Sequence, residues 1–522
     1  MIGAGKELVM KKFFNTAGLC FPKRHYMVDP LRRLPGVEAL VEKELYFSIH
    51  APRQTGKTTY LYALADKLNR KGKHIALVVS FERAGLPNIS LDRANETLID
   101  SVFNAAIRQL PVGERPVDPT GERFLELKNY LELWSRSQEK PIVLLVDEID
   151  ASLDRVLVSV LRQLRDGYQG RPKHFPAAVA LVGLRDVRDY RADIRSKSDT
   201  LGTASPFNIK SDSLFLPNFS DEEVFDLLEK HTEATGQEFP IEVKREIVRL
   251  TGGQPWLTNA LANQIVSRIL GDDHSRKITL EVLVQARRDL ILRRDTHLDS
   301  LVDKLRQGRV KRIVQAIING ESMMFDILDD DIAYVRDLGI VSPSSPLKFA
   351  NPIYAEIIPH VMASTIQESI PEEIQPPVFI DEDGYLDMPL VLKQFQEFYR
   401  RNSEAWRERY LFKESAHHLL LMAFLQRIIN SGGDIVREMA VGNGRIDLLV
   451  RFKGREYALE LKVLRNNHTT EEGLEQLNRY LDRLGLNEGF LVLFDPTDKD
   501  WNDKIYYRQT TTHNKTIALV GV

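Results

Sequence analysis

"LYFSIHAPRQTGKTTYLYALADKLN", residues 45–69, joins an apolar run to a helix-patterned run through a loop of glycine, lysine and threonine. The first run reads as a buried strand and the last as an amphipathic helix. The loop "APRQTGKT" (51–58) has the spacing of a phosphate-binding P-loop, with Ala51 at the position usually held by the first glycine. Strand, loop and helix in this order let backbone N–H groups and a helix N-terminus cradle phosphates. Ala51, Pro52, Arg53, Gln54, Thr55, Gly56 and Thr59 are expected to form that cradle for ATP. Lys57 is expected to reach the β/γ-phosphates and Thr58 to hold Mg²⁺.

Outward from this loop, "HIALVVSF" (74–81), "PIVLLVDE" (141–148) and "AVALVGL" (178–184) are nearly continuous in apolar residues and are separated by amphipathic stretches. Such runs predict buried parallel strands, hence a doubly wound α/β domain over residues 1–215. The strand at 141–148 ends in Asp147 and Glu148. With a P-loop upstream, Asp147 would act on the Mg²⁺ shell and Glu148 would polarise an attacking water. Residues 216–295 read as a helical lid, opened at "SDEEVFDLLEKH" by a Ser N-cap and an acidic first turn. Residues 296–365 read as a winged-helix unit, with helices in "RVKRIVQAIING" and "DDDIAYVRDLGI" and a hairpin-like wing in "VSPSSPLKFANP". Such units in ATPases serve as structural spacers or touch DNA. Residues 366–384, rich in proline and acids, read as a linker, and 385–522 as a second, smaller α/β domain.

Within that last domain, "GRIDLLVRFKGREYALELKVLR" (444–465) reads as two strands joined by a two-residue turn at Lys453-Gly454. Phe452 then faces Arg455, and Asp447 faces Glu460. One face of the pair is apolar and the other carries both acids. Directly opposed side chains lie about 5 Å apart at Cβ, so two carboxylates there repel unless a cation joins them. A divalent ion with oxygen ligands is the natural remedy. Lys462 projects from the same face, where it can orient a water or stabilise charge on a phosphate.

Residues 13–260 resemble the AAA-like ATPases related to the signal-transducing STAND group, through "APRQTGKT", "LLVDEID", "LVGLRDVRDY" and "TGGQPWLTNAL". The resemblance implies that Gly253-Gln254-Pro255 at a lid helix start contacts adenine, with Pro255 in the site. It also implies that "FFNTAGLCFPKRHYMVDPLRR" is an N-terminal clasp and that Arg185, just after the fourth strand, senses the γ-phosphate. Residues 384–495 resemble the bacterial PD-(D/E)xK nucleases fused to such ATPases, through "LLLMAFLQRIINSGG", "GRIDLLV", "ALELKV" and "LEQLNRYLDRLGLNEGFLVLFD". This resemblance implies a restriction-endonuclease-like fold, Mg²⁺ or Mn²⁺ held by Asp447 and Glu460, Glu414 as an added ligand, and Gln476 pointing into the site. His417 and His418 are adjacent in a helix and cannot face one ligand.

The bulk properties bound these readings. With 522 residues the chain exceeds one core, and its net charge of −3 leaves any nucleic-acid surface local. The single cysteine, Cys20, fits a reducing cytoplasm. The N-terminal sequence has no apolar signal region, and no membrane span is expected. The expected partners are nucleic acid, DNA rather than RNA, and further copies of the chain, because related ATPases assemble. The reading is an ATP-regulated, metal-dependent nuclease, with bacterial or archaeal defence as a setting that fits. The alternative is a STAND-like ATPase switch whose C-terminal domain binds nucleic acid or protein without cutting.

Overall fold

A computed structural model describes residues 11–522 apart from 87–88, 121–125, 153–154, 186–209, 294–300, 302, 319–325, 327–328, 368–378, 410–414, 430–432, 442–443, 465–467 and 498. The chain divides into two compact units. One comprises Met1–Ser300, Asp326–Pro343 and Ala350–Pro352; the other comprises Leu301–Phe325, Ser344–Phe349 and Ile353–Val522.

In the first unit, strands β1 (Tyr46–His50), β2 (Ile75–Ser80), β3 (Ile142–Asp147), β4 (Ala178–Gly183) and β5 (Lys210–Phe215) form one sheet of order β2-β3-β4-β1-β5. Every pairing is parallel. The four apolar runs account for β1 to β4. The fifth strand, "KSDSLF", has no apolar run because it lies at the sheet edge. It is tied to β1 by polar contacts instead: Ser211 Oγ donates to the Tyr46 carbonyl at 3.1 Å, and the Ser48 and Ser213 hydroxyls meet at 3.2 Å.

Helix α1 (Lys57–Lys71) covers one face of the sheet, burying Leu61, Leu64 and Leu68 against Phe47, Val78 and Val143. Helices α2 (Leu91–Gln109), α3 (Leu127–Ser137) and α4 (Arg155–Gly167) cover the other, where Tyr130 and Trp134 pack on Leu77 and Leu144. Helices on both faces explain why the central strands are apolar throughout. The fold is that of P-loop ATPases: a parallel sheet with the Gly-Lys-Thr loop between β1 and α1. The lid follows as α5 (Asp221–Thr235), α6 (Ile241–Thr251), α7 (Pro255–Asn263) and α8 (Leu280–Leu292). Ser220 caps α5, as the sequence predicts, and Glu223 makes the cap a reciprocal capping box. Helix α9 (Asp330–Asp337) belongs to the same unit.

The second unit contains helix Gly308–Ile318, then α10 (Met388–Arg409) and α11 (Ser415–Ile429). Strands β6 (Gly433–Val441), β7 (Gly444–Phe452) and β8 (Arg455–Val463) lead into α12 (Thr469–Leu484), β9 (Glu488–Phe494), β10 (Tyr506–Thr512) and β11 (Lys515–Gly521). The sheet order is β10-β11-β9-β8-β7-β6. Strand β7 pairs antiparallel with both β6 and β8, and β9 runs parallel to both β8 and β11. The expected turn is present. Lys453 and Gly454 have φ of 48° and 86°, the left-handed pair of a two-residue hairpin, and Phe452 faces Arg455. Strand β9 does not end the sheet, however. The terminal hairpin β10–β11 extends it: β10, "YYRQTTT", is polar at the sheet edge, while β11, "KTIALVG", carries a short apolar run that buries Ile517, Ala518 and Val520.

Candidate functional site

Loop 51–58 is pinned at both ends. The Ala51 N–H donates to the Gly183 carbonyl at 3.3 Å, so a fully buried alanine serves where glycine is usual. Gln54 and Gly56 have φ of 58° and 88°, which folds the loop back on itself before α1 begins. Thr55 donates its hydroxyl to the Pro52 carbonyl. Lys57 Nζ crosses the loop to the carbonyls of Ala51 and Pro52, both at 2.8 Å. Burial pulls its ammonium down to about 8, against the pull of Asp150 and Asp147. An anion in the loop would offset that desolvation and favour the charged form further, so the lysine fits a phosphate. Arg53 is exposed, and Thr59 Oγ1 accepts the Cys20 N–H at 3.4 Å, bringing the expected clasp against the start of α1.

Strand β3 delivers its acids to the same place. Thr58 Oγ1 donates to Asp147 Oδ2 at 2.6 Å, and Asp147 Oδ1 accepts the Glu148 N–H at 3.0 Å. Burial raises the Asp147 pKa, while the Thr58 bond and Lys57 lower it. A hydroxyl and a carboxylate converging on one point are hard oxygen donors, a set that fits Mg²⁺. Glu148 is exposed at φ 56° and accepts a 2.5 Å bond from Ser80 Oγ at the end of β2, a partner that the sequence reading missed.

The lid reaches the loop through the helix start at Gly253-Gln254-Pro255. Gln254 caps α7 by accepting the Leu257 N–H at 2.6 Å, and its Nε2 donates to the Gln54 carbonyl at 3.5 Å. Pro255 is buried at the first position of α7. Arg185 is buried and faces α9. Its guanidinium lies 4.8 Å from the Tyr334 ring centroid, and its Nε is 4.0 Å from Asp337 Oδ2. Gly339, just beyond α9, abuts Pro52 so closely that a Cβ there would come within 2.7 Å of the proline ring.

The second unit brings together the other set. The Leu461 N–H donates to Asp447 Oδ2 at 2.9 Å, which holds Asp447 of β7 beside Glu460 of β8. Glu460 is fully buried. Lys462 Nζ donates to Glu460 Oε1 at 2.7 Å and to Gln476 Oε1 of α12 at 3.1 Å. Gly473 permits this approach: a Cβ there would come within 2.9 Å of Leu491 and 3.3 Å of Lys462. Burial and the Asp447 charge push the Glu460 carboxyl up to about 8, with Lys462 pulling the other way. Burial lowers the Lys462 pKa, but the Glu460 and Asp447 charges outweigh it and leave it raised. Tyr480 completes the group by accepting a 3.0 Å bond from Gln476 Nε2, which fixes the amide so that its oxygen faces Lys462. The signal for Tyr480 was its place one helical turn after Gln476.

Glu460 Oε2 is buried with no hydrogen-bond partner among the described residues. Beside Asp447, that orphaned oxygen fits a divalent cation, since a buried anionic oxygen is costly unless it is paired. Glu414 lies outside the described residues, as do the side chains of His417 and His418. Among the described residues no group of three His, Cys, Asp or Glu is placed to hold a metal. No described helix is long and apolar enough to cross a membrane.

Residues 392–498 match a family described as a domain of unknown function, DUF8371, and that span encloses Asp447, Glu460, Lys462, Gln476 and Tyr480. A search of curated proteins finds no match. Among solved structures, the chain is similar to the Walker-type ATPase PABY2304 of Pyrococcus abyssi, with 14% identity and a TM-score of 0.46 over 66% of this chain and 98% of that one. It is also similar to the Aeropyrum pernix ORC2 protein in its ADPNP–ADP complexes, with 13% identity and a TM-score of 0.43 over 64% and 94%. Cdc6p of Pyrobaculum aerophilum follows at 13% identity and 0.36 over 69% and 98%. The assignment of the first unit as a P-loop ATPase fold rests on its own sheet order and loop geometry.

Proposed function

We propose that the chain is an ATP-regulated, divalent-metal-dependent nuclease acting on DNA. The observation that carries this is the convergence of Asp447, Glu460, Lys462 and Gln476 on one point of the second unit, with one buried Glu460 oxygen unpartnered among the described residues. A bound Mg²⁺ or Mn²⁺ would polarise a phosphodiester and activate water there. Asp447 and Glu460 would hold that ion, and Glu414 is proposed as a further ligand. Lys462, its orientation set by Gln476 and Tyr480, would place positive charge against the phosphate as negative charge develops.

In the first unit Lys57 would neutralise the β/γ-phosphates of ATP, Thr58 and Asp147 would hold Mg²⁺, and Glu148 would orient the attacking water. Arg185 is proposed to read the γ-phosphate and Pro255 to flank the base. Homo-oligomerisation belongs to the same proposal.

The test is incubation of the full chain with plasmid DNA and Mg²⁺ or Mn²⁺, with and without ATP, beside Asp447→Ala and Glu148→Gln. Divalent-dependent cutting lost in Asp447→Ala supports the reading. The second reading is an ATPase switch that binds nucleic acid without cutting. DNA retained uncut by the wild type, with ATP still hydrolysed, would select that one.

A further inference from the structure

Ahead of the phosphate loop, the chain sends one cation into the interior. Arg33 ends a short 3-10 turn, Pro30–Arg33, whose entry is fixed by Asp29 accepting the Leu31 N–H at 3.0 Å. The residue is 7% exposed. Its Nη1 donates to the Thr55 carbonyl at 2.6 Å, inside the phosphate loop. Its Nη2 donates to the Pro217 carbonyl, where the chain leaves β5 for the lid. The guanidinium also faces the Phe219 ring, 5.1 Å from its centroid. Nε has no hydrogen-bond partner among the described residues. Burial depresses its pKa to about 10, against the pull of Glu223, so it stays charged at neutral pH.

Both ends of this bridge are built for close approach. Gly56 is left-handed, and a Cβ there would come within 3.2 Å of Arg33 Nη1. On the lid side, Phe219 donates its N–H to the Gly253 carbonyl at 2.9 Å, and a Cβ on Gly253 would meet the Phe219 carbonyl oxygen at 2.1 Å. A guanidinium donates to two separate carbonyls from different nitrogens of one planar fork and can also face a ring; an ammonium concentrates its donors on one atom. The cation thus spans the loop that takes phosphate and the hinge that carries the lid.

Charge makes the bridge responsive. A buried guanidinium bonded to neutral carbonyls is incompletely compensated. Phosphates cradled on the other side of Thr55 and Gly56 bring negative charge into the same low-dielectric region and stabilise the cation where it sits. Any state that fixes the Thr55 carbonyl therefore also favours the Pro217 bond, and the coupling is reciprocal. We propose that Arg33 is a positioning residue that couples nucleotide occupancy of loop 51–58 to the seating of the lid at Pro217–Phe219. This rests on the nucleotide-binding reading of the loop given above.

The test is hydrogen exchange of the full chain, read by mass spectrometry with and without MgATP. In the wild type, MgATP is expected to slow exchange both in peptides covering 51–59 and in peptides covering 216–222. In Arg33→Lys and Arg33→Gln, saturating MgATP should still protect 51–59 while its effect on 216–222 disappears. By reciprocity, the Kd for MgATP should rise about 5- to 100-fold. Two results overturn the proposal. One is a wild type in which MgATP protects 51–59 and leaves 216–222 unchanged, which needs no variant to fold. The other is an Arg33→Lys protein with faster hinge exchange overall but an unchanged MgATP effect and Kd, as a merely structural residue would give. A wild type with no protection of 51–59 would instead overturn the nucleotide-binding reading itself.

Discussion

Replacing Glu460 by Gln keeps the shape of the buried side chain and removes its titration. The carboxyl is fully buried and pushed up to about 8, from an ordinary glutamate value of 4.5, by burial first and Asp447 second. The folded state therefore holds this proton more tightly than the unfolded chain does. Its contribution to stability is complete below about pH 4.5 and is lost as pH rises toward 8. At 1.36 kcal/mol per unit, a gap of about 3.5 units amounts to about 4–5 kcal/mol in the metal-free protein, of which about 2–3 kcal/mol falls between pH 6 and pH 8.5. The raised Lys462 pKa adds nothing in this window, because its contribution changes only above the ordinary lysine range.

Calorimetric melting of the full chain in chelator measures this. The wild-type transition of the second unit is expected to fall by about 5–10 °C from pH 6 to pH 8.5, taking about 2–4 °C per kcal/mol for a unit of this size. In Glu460→Gln that transition should stay nearly level, which also identifies it. Adding Mn²⁺ at pH 8.5 should raise the wild-type transition in proportion to its occupancy and leave the variant unmoved. If both proteins show the same pH dependence and the same response to Mn²⁺, Glu460 is neither the titrating group nor a ligand, and the cation argument fails.

Lys57→Ala should abolish ATP binding by titration calorimetry, whereas Glu148→Gln should bind ATP and release no phosphate; normal turnover by Glu148→Gln would mean another group orients the water. Gly253→Ala should destabilise the first unit by about 2–3 kcal/mol, read as a lower melting temperature, because its φ of 68° is left-handed and the new Cβ would overlap the Phe219 carbonyl. Tyr480→Phe should keep the Mn²⁺ melting shift yet slow DNA cleavage about 10-fold, by freeing the Gln476 amide that orients Lys462; Lys462→Ala should keep the shift and lose about 100-fold or more.

Local rules account for what the sequence made legible. The register that sets Asp447 beside Glu460 follows from one two-residue turn, because Lys453 and Gly454 fix which residues face each other and the alternation does the rest. The phosphate loop was legible for a similar reason: its strand, glycine, lysine and helix start are consecutive, so spacing alone encodes the geometry. Strand β5 was not, since an edge strand held by Ser211 and Ser213 carries none of the apolar signal that buried strands must carry. Tyr480 stood within reach of the helical period, one turn from a glutamine already singled out.

Arg33 is a different case. Its partners are backbone carbonyls of Thr55 and Pro217, 22 and 184 residues away, and a carbonyl leaves no mark on residue identity. Every residue type offers one, so no pattern of side chains announces that a guanidinium will be needed there. The candidate residues of both sites are side chains at fixed spacing. The tie between the phosphate loop and the lid runs through main-chain oxygens, and only the folded chain brings those within 2.6 Å and a second hydrogen bond of one arginine. A search for regulation in proteins of this architecture should therefore begin with buried arginines bonded to loop carbonyls, where sequence spacing has nothing to offer.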